Sequence, residues 1–227
     1  MKKNIVVWGD SLARGVIYDD EKKRYRISPV CAANIISEKT GAVITNRSHM
    51  GMTSAQGLSQ MQDDIARGIG GDVAFLEFGG NDSDFDWKAI SEAPDAEHLP
   101  KTVISQYEED MCRMIELSRE HGMEPMLATL PPLMADRYFE FFSRNGLNRG
   151  NILHWLGDVN KIYRFHERYS LAVAKIASKY NCRIMDLRTA FLDKWDARPY
   201  FCTDGIHPND AGQKLIGETI LKALSPA

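Results

Sequence analysis

A serine and a histidine–aspartate pair stand at opposite ends of this sequence of 227 residues. Ser11 comes just after a short apolar run at residues 4–8. Asp204 and His207 lie three positions apart near the other end. A serine hydroxyl becomes a nucleophile when a positioned base removes its proton, and a third group usually orients that base. These residue types predict nucleophilic catalysis if the fold brings them together.

The surroundings of Ser11 predict where its side chain lies. The apolar run followed by Gly9 indicates a buried strand that ends in a tight turn. Ligands of open parallel sheets bind beyond the carboxyl ends of the strands, which is where a nucleophile would be useful. Aspartate and serine are also preferred helix N-caps, so the alternative interpretation is that Asp10 and Ser11 only cap the next helix.

Two further blocks follow apolar runs and would reach the same sheet edge. The first contains Gly51, and the second is Gly79-Gly80-Asn81-Asp82. Both offer hydrogen-bond donors, a backbone N–H or a carboxamide, of the kind that stabilise an oxyanion. The sequence therefore supplies candidates for an oxyanion hole as well as for a nucleophile and its base.

Together these blocks resemble the SGNH hydrolases, also called the GDSL esterase/lipase family. The resemblance rests on Gly9-Asp10-Ser11-Leu12, the Gly51 and Asn81 blocks, and Asp204-Gly205-Ile206-His207-Pro208, which occur in the family's order. It implies that Ser11 is the nucleophile and that His207 is the general base and then the general acid. It implies that Asp204 orients the imidazole.

The same resemblance implies an oxyanion hole made by the N–H groups of Ser11 and Gly51 and the side-chain amide of Asn81. We also expect the acids next to these residues, Asp10 and Asp82, to contact the substrate. No Gly-x-Ser-x-Gly elbow occurs in the chain, so the site does not follow the α/β-hydrolase arrangement.

The fold prediction rests on five apolar runs that alternate with helical segments. The predicted strands are residues 4–8, 42–45, 72–78, 126–130 and 182–187. The predicted helices are residues 29–40, 54–67, 103–120, 161–180 and 210–224, the first capped at Ser28-Pro29. This alternation predicts one α/β domain over residues 1–227, a flavodoxin-like three-layer α/β/α sandwich with a five-stranded parallel sheet in the order 2-1-3-4-5.

Two segments lie outside this alternation. Residues 13–27 are predicted to be a polar loop. Residues 133–160 form an insert rich in aromatic and arginine side chains. The insert is interpreted as an aromatic lid or acyl pocket, as a dimer contact, or as a local packing unit.

Composition limits the function classes. The 28 basic and 31 acidic residues give a net charge of −3, and no basic run indicates nucleic-acid binding. The charged start Met1-Lys2-Lys3 resembles that of a signal peptide, but the apolar run after it is too short. No run approaches the roughly 18 apolar residues of a membrane span. We therefore expect a cytoplasmic protein that binds neither nucleic acid nor membranes.

Neither a metal nor an organic cofactor is expected. The four cysteines are scattered singly, which is not a zinc pattern. Asp82, Asp84 and Asp86 suggest a calcium loop, but Trp87 and Ala93 stand where an EF-hand requires glycine and glutamate.

The predicted function is hydrolysis of a small-molecule ester through a Ser11–His207–Asp204 triad and an acyl-enzyme. Short-chain or acetyl esters of small molecules or carbohydrates are favoured. The alternatives are an acyltransferase, a thioesterase or lipase with the same triad, and a non-catalytic ligand-binding module. The oligomeric state stays open.

Overall fold

The computed structural model of the protein describes residues 3–224. The charged start at Met1 and Lys2 lies outside these residues. Five parallel strands form the central sheet: β1 (Asn4–Gly9), β4 (Val43–Asn46), β5 (Val73–Glu77), β6 (Glu124–Ala128) and β7 (Arg183–Met185). Their order across the sheet is β4-β1-β5-β6-β7. Counted along the chain, this is the predicted order 2-1-3-4-5, so the predicted fold class is confirmed.

Helices cover both faces of the sheet. One face packs against α3 (Ser54–Ala66), α5 (Ile104–Glu120) and α8 (Asn160–Lys179). The other face packs against α2 (Ala32–Thr40), α9 (Leu187–Leu192) and α10 (Asp210–Leu224). Strand residues alternate between the two cores, because successive side chains of a strand point to opposite faces: Val6 and Trp8 face the first core, and Ile5 and Val7 face the second.

A third apolar cluster lies beyond the carboxyl ends of the strands. It joins α4 (Trp87–Glu92), α6 (Ala135–Ser143), α7 (Arg149–Leu156) and the beginning of α8. Phe139, Ile152 and Leu156 of the 133–160 insert are buried in it. The insert is therefore a packed part of the molecule at the edge of the sheet where a site is expected.

The structure corrects the prediction for residues 13–27. This segment contains the short helix α1 (Ser11–Arg14) and a two-stranded antiparallel hairpin, β2 (Val16–Asp19) and β3 (Arg24–Ile27). Ile17 and Tyr18 are buried against Cys202 and Phe141. The apolar residues at 16–18 allow the hairpin to pack, although its acidic turn resembles a solvated loop.

The start of α2 also differs from the prediction. Helix α2 begins at Ala32, after Cys31, because Ser28 has other partners. The Ser28 hydroxyl donates to Asp210 Oδ1 at 2.6 Å and accepts from the Val30 N–H. Ser28 therefore ties the chain to the start of α10 instead of capping α2.

The remaining described elements include a 3₁₀ turn at Arg198–Tyr200. Within residues 3–224, no helix combines the length and apolar character needed to cross a membrane. All four cysteines are unpaired. Cys202 accepts a hydrogen bond from the Tyr18 N–H, and burial raises the pKa of its thiol to about 11, so it behaves as a packing residue.

Candidate active site

Ser11, His207 and Asp204 form one chain of hydrogen bonds at the carboxyl edge of the sheet. Ser11 Oγ lies 2.9 Å from His207 Nε2, and His207 Nδ1 lies 2.6 Å from Asp204 Oδ2. All three residues are at least nine-tenths buried. This geometry matches a nucleophile, a base and an orienting carboxylate.

The turn after β1 delivers Ser11. Asp10 caps α1, since its Oδ1 accepts from the Leu12 N–H at 2.8 Å, and Ser11 is the first helical residue. The capping interpretation thus applies to Asp10, and it leaves Ser11 free to face His207. A Cβ at Gly9 would approach the Ala13 side chain to 2.7 Å and the Glu77 carbonyl to 2.8 Å. The tight turn therefore needs glycine at this position.

A short loop before α10 fixes Asp204 and His207. Asp204 Oδ1 accepts from the backbone N–H groups of Ile206 and His207, both at 3.1 Å. The Cys202 N–H donates to the His207 carbonyl at 2.8 Å, and the Met134 N–H donates to the Gly205 carbonyl at 2.7 Å. The loop is thereby anchored to α6, and the buried carboxylate has partners for both oxygens.

Tyr25 is a site residue that sequence reasoning missed. Its ring centroid lies 5.1 Å from that of His207, and the charge of Asp204 acts on its hydroxyl. Burial, followed by the negative charge of Asp204, raises the pKa of the Tyr25 hydroxyl above its usual range. The hairpin strand β3 places Tyr25 there, and the alternating residues Arg24-Tyr25-Arg26-Ile27 were the available signal.

The three expected oxyanion donors are in different situations. Among residues 3–224, neither the Ser11 N–H nor the Gly51 N–H donates to another group. Gly51 has a left-handed φ of +80° in an exposed turn. Asn81 Nδ2 already donates to Asp10 Oδ2 at 2.9 Å and to the Met52 carbonyl at 3.2 Å. An amide nitrogen has two hydrogens, so an oxyanion would replace one of these acceptors.

Asp10 forms a buried carboxyl pair with Glu77. Burial raises the pKa of Asp10 to about 6. Burial and the charge of Asp10 raise the pKa of Glu77 well above its usual range. Glu77 Oε2 accepts from the Ala13 N–H at 3.2 Å, whereas its Oε1 has no hydrogen-bond partner among residues 3–224. Asp10 lines the cavity beside Ser11, but both of its oxygens already accept hydrogen bonds.

Asp82 lies behind the cavity wall. It is fully buried, and it is not among the residues that line the cavity. The Ser54 hydroxyl lies 2.7 Å from Asp82 Oδ1 and 2.8 Å from Asp110 Oδ2. Asp82 therefore joins the loop after β5 to α3 and does not reach the space beside Ser11.

The cavity beside Ser11 and His207 has a volume of about 100 Å³. The insert contributes Leu133 and Tyr138 to its wall, and Ile162 and His166 of α8 also line it. Tyr138 donates from its hydroxyl to Asp84 Oδ1 at 3.0 Å, which fixes the aromatic wall. The insert is thus packed and also forms part of the cavity.

Asp84 and Asp86, in the acidic loop after Asn81, have partners within the protein. Asp84 accepts from Trp87 Nε1 and pairs with Lys101 at 2.9 Å, and Asp86 caps α4. In the described part of the chain, no cluster of three or more His, Cys, Asp or Glu side chains could hold a metal ion.

The order of the site blocks and the fold agree with a known family. The model of the GDSL-like lipase/acylhydrolase family matches residues 7–215. This chain belongs to that family. It is a hydrolase that acts on ester bonds, as the SGNH resemblance implies. No curated protein sequence matches the chain significantly.

Solved structures share the fold at low sequence identity. A lipase/acylhydrolase from Enterococcus faecalis aligns with a TM-score of 0.65 and 18% identity, over 98% of this chain and 94% of its own. The acetyl xylan esterase AlAXEase gives 0.65 and 17%, over 98% and 100%. A mutant acetyl-xylooligosaccharide esterase from Geobacillus gives 0.66 and 17%, over 99% and 95%. At these identities the structures establish the fold alone.

Proposed function

We propose that this protein is a serine esterase that hydrolyses short-chain or acetyl esters of small molecules or carbohydrates. The observation that carries the proposal is the unbroken chain Ser11 Oγ–His207–Asp204, with distances of 2.9 and 2.6 Å, at the wall of a small cavity. The single-domain organisation over residues 1–227 and the cytoplasmic location stay predictions.

The first step is acylation of Ser11. His207 Nε2 removes the hydroxyl proton as Ser11 Oγ attacks the ester carbonyl, and Asp204 stabilises the imidazolium that forms. The tetrahedral intermediate collapses when His207 returns the proton to the leaving alcohol. The acyl group is then bound to Ser11 Oγ, and the alcohol departs.

The developing oxyanion meets the N–H groups of Ser11 and Gly51 and the amide of Asn81. The first two groups have no other acceptor among residues 3–224, so they are ready to donate. Asn81 exchanges the longer of its two bonds, the one to the Met52 carbonyl, for the oxyanion. Water then attacks the acyl-enzyme with His207 as base, which releases the acid and regenerates Ser11.

The size of the cavity favours a small acyl group. A bound water occupies roughly 10–15 Å³ by the same kind of measure, so about 100 Å³ holds a group of a few heavy atoms. Two of the structures with this fold are esterases of acetylated xylan or xylooligosaccharides, which makes acetylated sugars the first class to test.

The test measures hydrolysis of p-nitrophenyl esters from acetate to palmitate. Ser11→Ala is compared with wild type and with Ser59→Ala, an exposed serine on α3. We expect the wild type to hydrolyse short-chain esters. Ser11→Ala should lose activity on the order of 10⁶-fold, and Ser59→Ala should keep the activity of the wild type. Activity that rises with chain length favours a lipase, and acyl transfer to added alcohols favours an acyltransferase. Wild-type protein inert towards every ester would contradict the proposal and favour a binding module.

A further inference from the structure

An apolar channel lies between the central sheet and the two helices α2 and α10. Strands β1 and β5 form its floor and the two helices its roof, through Ile5, Val7, Phe75, Ile36 and Ile220. The volume of the channel is about 60 Å³. Protein interiors contain few voids larger than a water molecule, which needs roughly 10–15 Å³ by the same kind of measure. A space several times larger than this indicates a site that a ligand fills.

The shape of the channel follows the direction of the strands. Ile5 lines one end and Glu77 the other, and Glu77 is the sheet partner of Gly9, four residues after Ile5. At roughly 3.3 Å per strand residue, the channel is about 13 Å long. On the opposite wall, Ile216 and Ile220 lie one turn apart on the same face of α10. A long and narrow space of this kind fits an extended chain better than a compact ring.

The wall of the channel offers apolar contacts and no charged partner. Among the residues 3–224 that line it, Glu77 is the one polar side chain. Glu77 Oε2 already accepts from the Ala13 N–H, and burial raises the pKa of the Glu77 carboxyl well above its usual range. A charged ligand would leave water without finding an opposite charge, which is costly. The chemistry of the wall therefore selects an uncharged aliphatic chain.

The channel is open to solvent on one side. Phe75 lies in the middle strand of the sheet, yet its side chain is only partly buried, as is that of Ile44 on the edge strand β4. Ala32 and Ala33 line the channel from the first turn of α2, and their short side chains leave room between this helix and the sheet. A chain can therefore enter without unfolding of the helices.

The channel ends next to the segment that carries Ser11. Leu12 and Pro131 line both the channel and the cavity beside Ser11, so they form the partition between the two spaces. Leu12 directly follows Ser11 in α1. A chain in the channel would thus contact α1 without entering the cavity in which the ester reacts.

We propose that this channel is a second ligand site, which binds a neutral linear aliphatic chain such as that of a medium-chain alcohol while the cavity beside Ser11 stays free. Burial of the chain against the apolar wall drives binding. The hydroxyl stays at the open side in water, since burying an unpaired hydroxyl is costly. The inference goes beyond the proposed function, because the ligand is not the reacting ester.

Equilibrium dialysis with radiolabelled 1-octanol tests the site. We expect one equivalent to bind to the wild type, with the same affinity in Ser11→Ala. Ala33→Leu fills the channel and should weaken binding at least about tenfold. Ala66→Leu makes the same change at an exposed position of α3 and should bind like the wild type.

A second ligand tests the apolar end of the channel on the unaltered protein. The compound 1,8-octanediol has the same chain but carries a hydroxyl at each end. One hydroxyl must then enter the apolar space without a partner, so the diol should bind at least about tenfold more weakly than 1-octanol. Circular dichroism verifies that each variant is folded, and the comparison of the two alcohols decides the matter if Ala33→Leu does not fold.

The outcomes separate this site from the esterase proposal. Absence of binding, equal affinities for the two alcohols, or unchanged affinity in folded Ala33→Leu would overturn the second site. Competitive inhibition of ester hydrolysis by 1-octanol would also overturn it, because the alcohol would then occupy the cavity beside Ser11. Binding that depends on Ala33 in a protein that hydrolyses no ester would support the second site, and only the proposed function would fail.

Discussion

Asn81 Nδ2 donates a 2.9 Å hydrogen bond to Asp10 Oδ2, which joins the loop after β5 to the turn that carries Ser11. The same nitrogen donates to the Met52 carbonyl, one residue after Gly51. One amide thus connects the turn that holds Ser11 with the segment that holds Gly51. The hydrogen-bond network therefore fixes these groups relative to one another before substrate binds.

Asp10→Asn tests this connection. The two oxygens of Asp10 accept from the Leu12 N–H and from Asn81 Nδ2. An asparagine has one oxygen and one NH₂ group, so one of these two donors loses its acceptor, and the position of Asn81 is no longer fixed. Loss of one oxyanion donor typically costs about 10²–10³ in kcat, and we expect a decrease near the lower end. Asp63→Asn, an exposed acid on α3, is the control and should be unchanged. An Asp10→Asn protein with full kcat on p-nitrophenyl acetate would show that the bond is dispensable.

Asp10 also gives stability a defined pH dependence. Its pKa of about 6 lies above the unfolded value near 3.8, so the folded state binds the proton more tightly. The stabilising contribution of protonated Asp10 to the free energy of unfolding is fully present below about pH 4, and it is lost as pH rises through about 6. Urea unfolding should show wild type losing up to about 3 kcal/mol relative to Asp10→Asn over this range. Parallel pH curves for the two proteins would refute this assignment.

Tyr25→Phe removes the hydroxyl on which the charge of Asp204 acts but keeps the ring beside His207. A polar neighbour of a buried carboxylate that contributes about 1 kcal/mol changes a rate roughly fivefold, so we expect kcat to fall severalfold. Tyr18→Phe is matched to it, because the Tyr18 ring packs edge to face against Tyr25 and its hydroxyl contacts Arg144 instead of Asp204 or His207. Steady-state kinetics should separate the two variants. Equal effects would mean that Tyr25 acts only through packing.

Gly205→Ala tests the loop between Asp204 and His207. Gly205 has φ +79°, and a Cβ would lie 2.5 Å from the Tyr138 nitrogen and 2.7 Å from the Met134 carbonyl. Overpacking of this kind costs about 1–3 kcal/mol, and the loop must also move, so both stability and kcat should fall. Gly122→Ala has a similar φ of +73° with nothing within 4 Å, and it measures the backbone strain alone. Unfolding curves that coincide for the two variants would rule out the steric effect.

Much of the fold could be predicted from the sequence, because four of the five parallel strands are short apolar runs followed by glycine, asparagine or proline, and only β7 is followed by Asp186 instead. The hydrogen-bonded arrangement of Ser11, His207 and Asp204 was expected from the family resemblance and from the position of sites beyond the carboxyl ends of parallel strands. The catalytic roles of these residues stay predictions. The β2–β3 hairpin was missed because four-residue strands flank a charged turn that resembles a solvated loop. Tyr25 was missed with it, since only the tertiary fold places this hairpin against Asp204.

His166 shows a different limit of sequence reasoning. Its spacing from Ile162, Tyr169 and Val173 on α8 matches a buried helix face, so its burial was predictable. Its missing hydrogen-bond partner among residues 3–224 was not, because that depends on which groups the other elements bring close to the ring. Whether a buried polar group finds a hydrogen-bond partner depends on the tertiary packing of several elements, so no local sequence pattern predicts it.

The central claim is that Ser11 is the nucleophile activated by His207, and covalent labelling tests it most directly. A fluorophosphonate reacts with an activated serine by losing fluoride and forming an O–P bond. Mass spectrometry of the digested protein should place the adduct on the peptide that contains Ser11 in wild type, and Ser11→Ala and His207→Ala should stay unlabelled. An adduct on another residue, or hydrolysis of esters by Ser11→Ala at the wild-type rate, would contradict the claim.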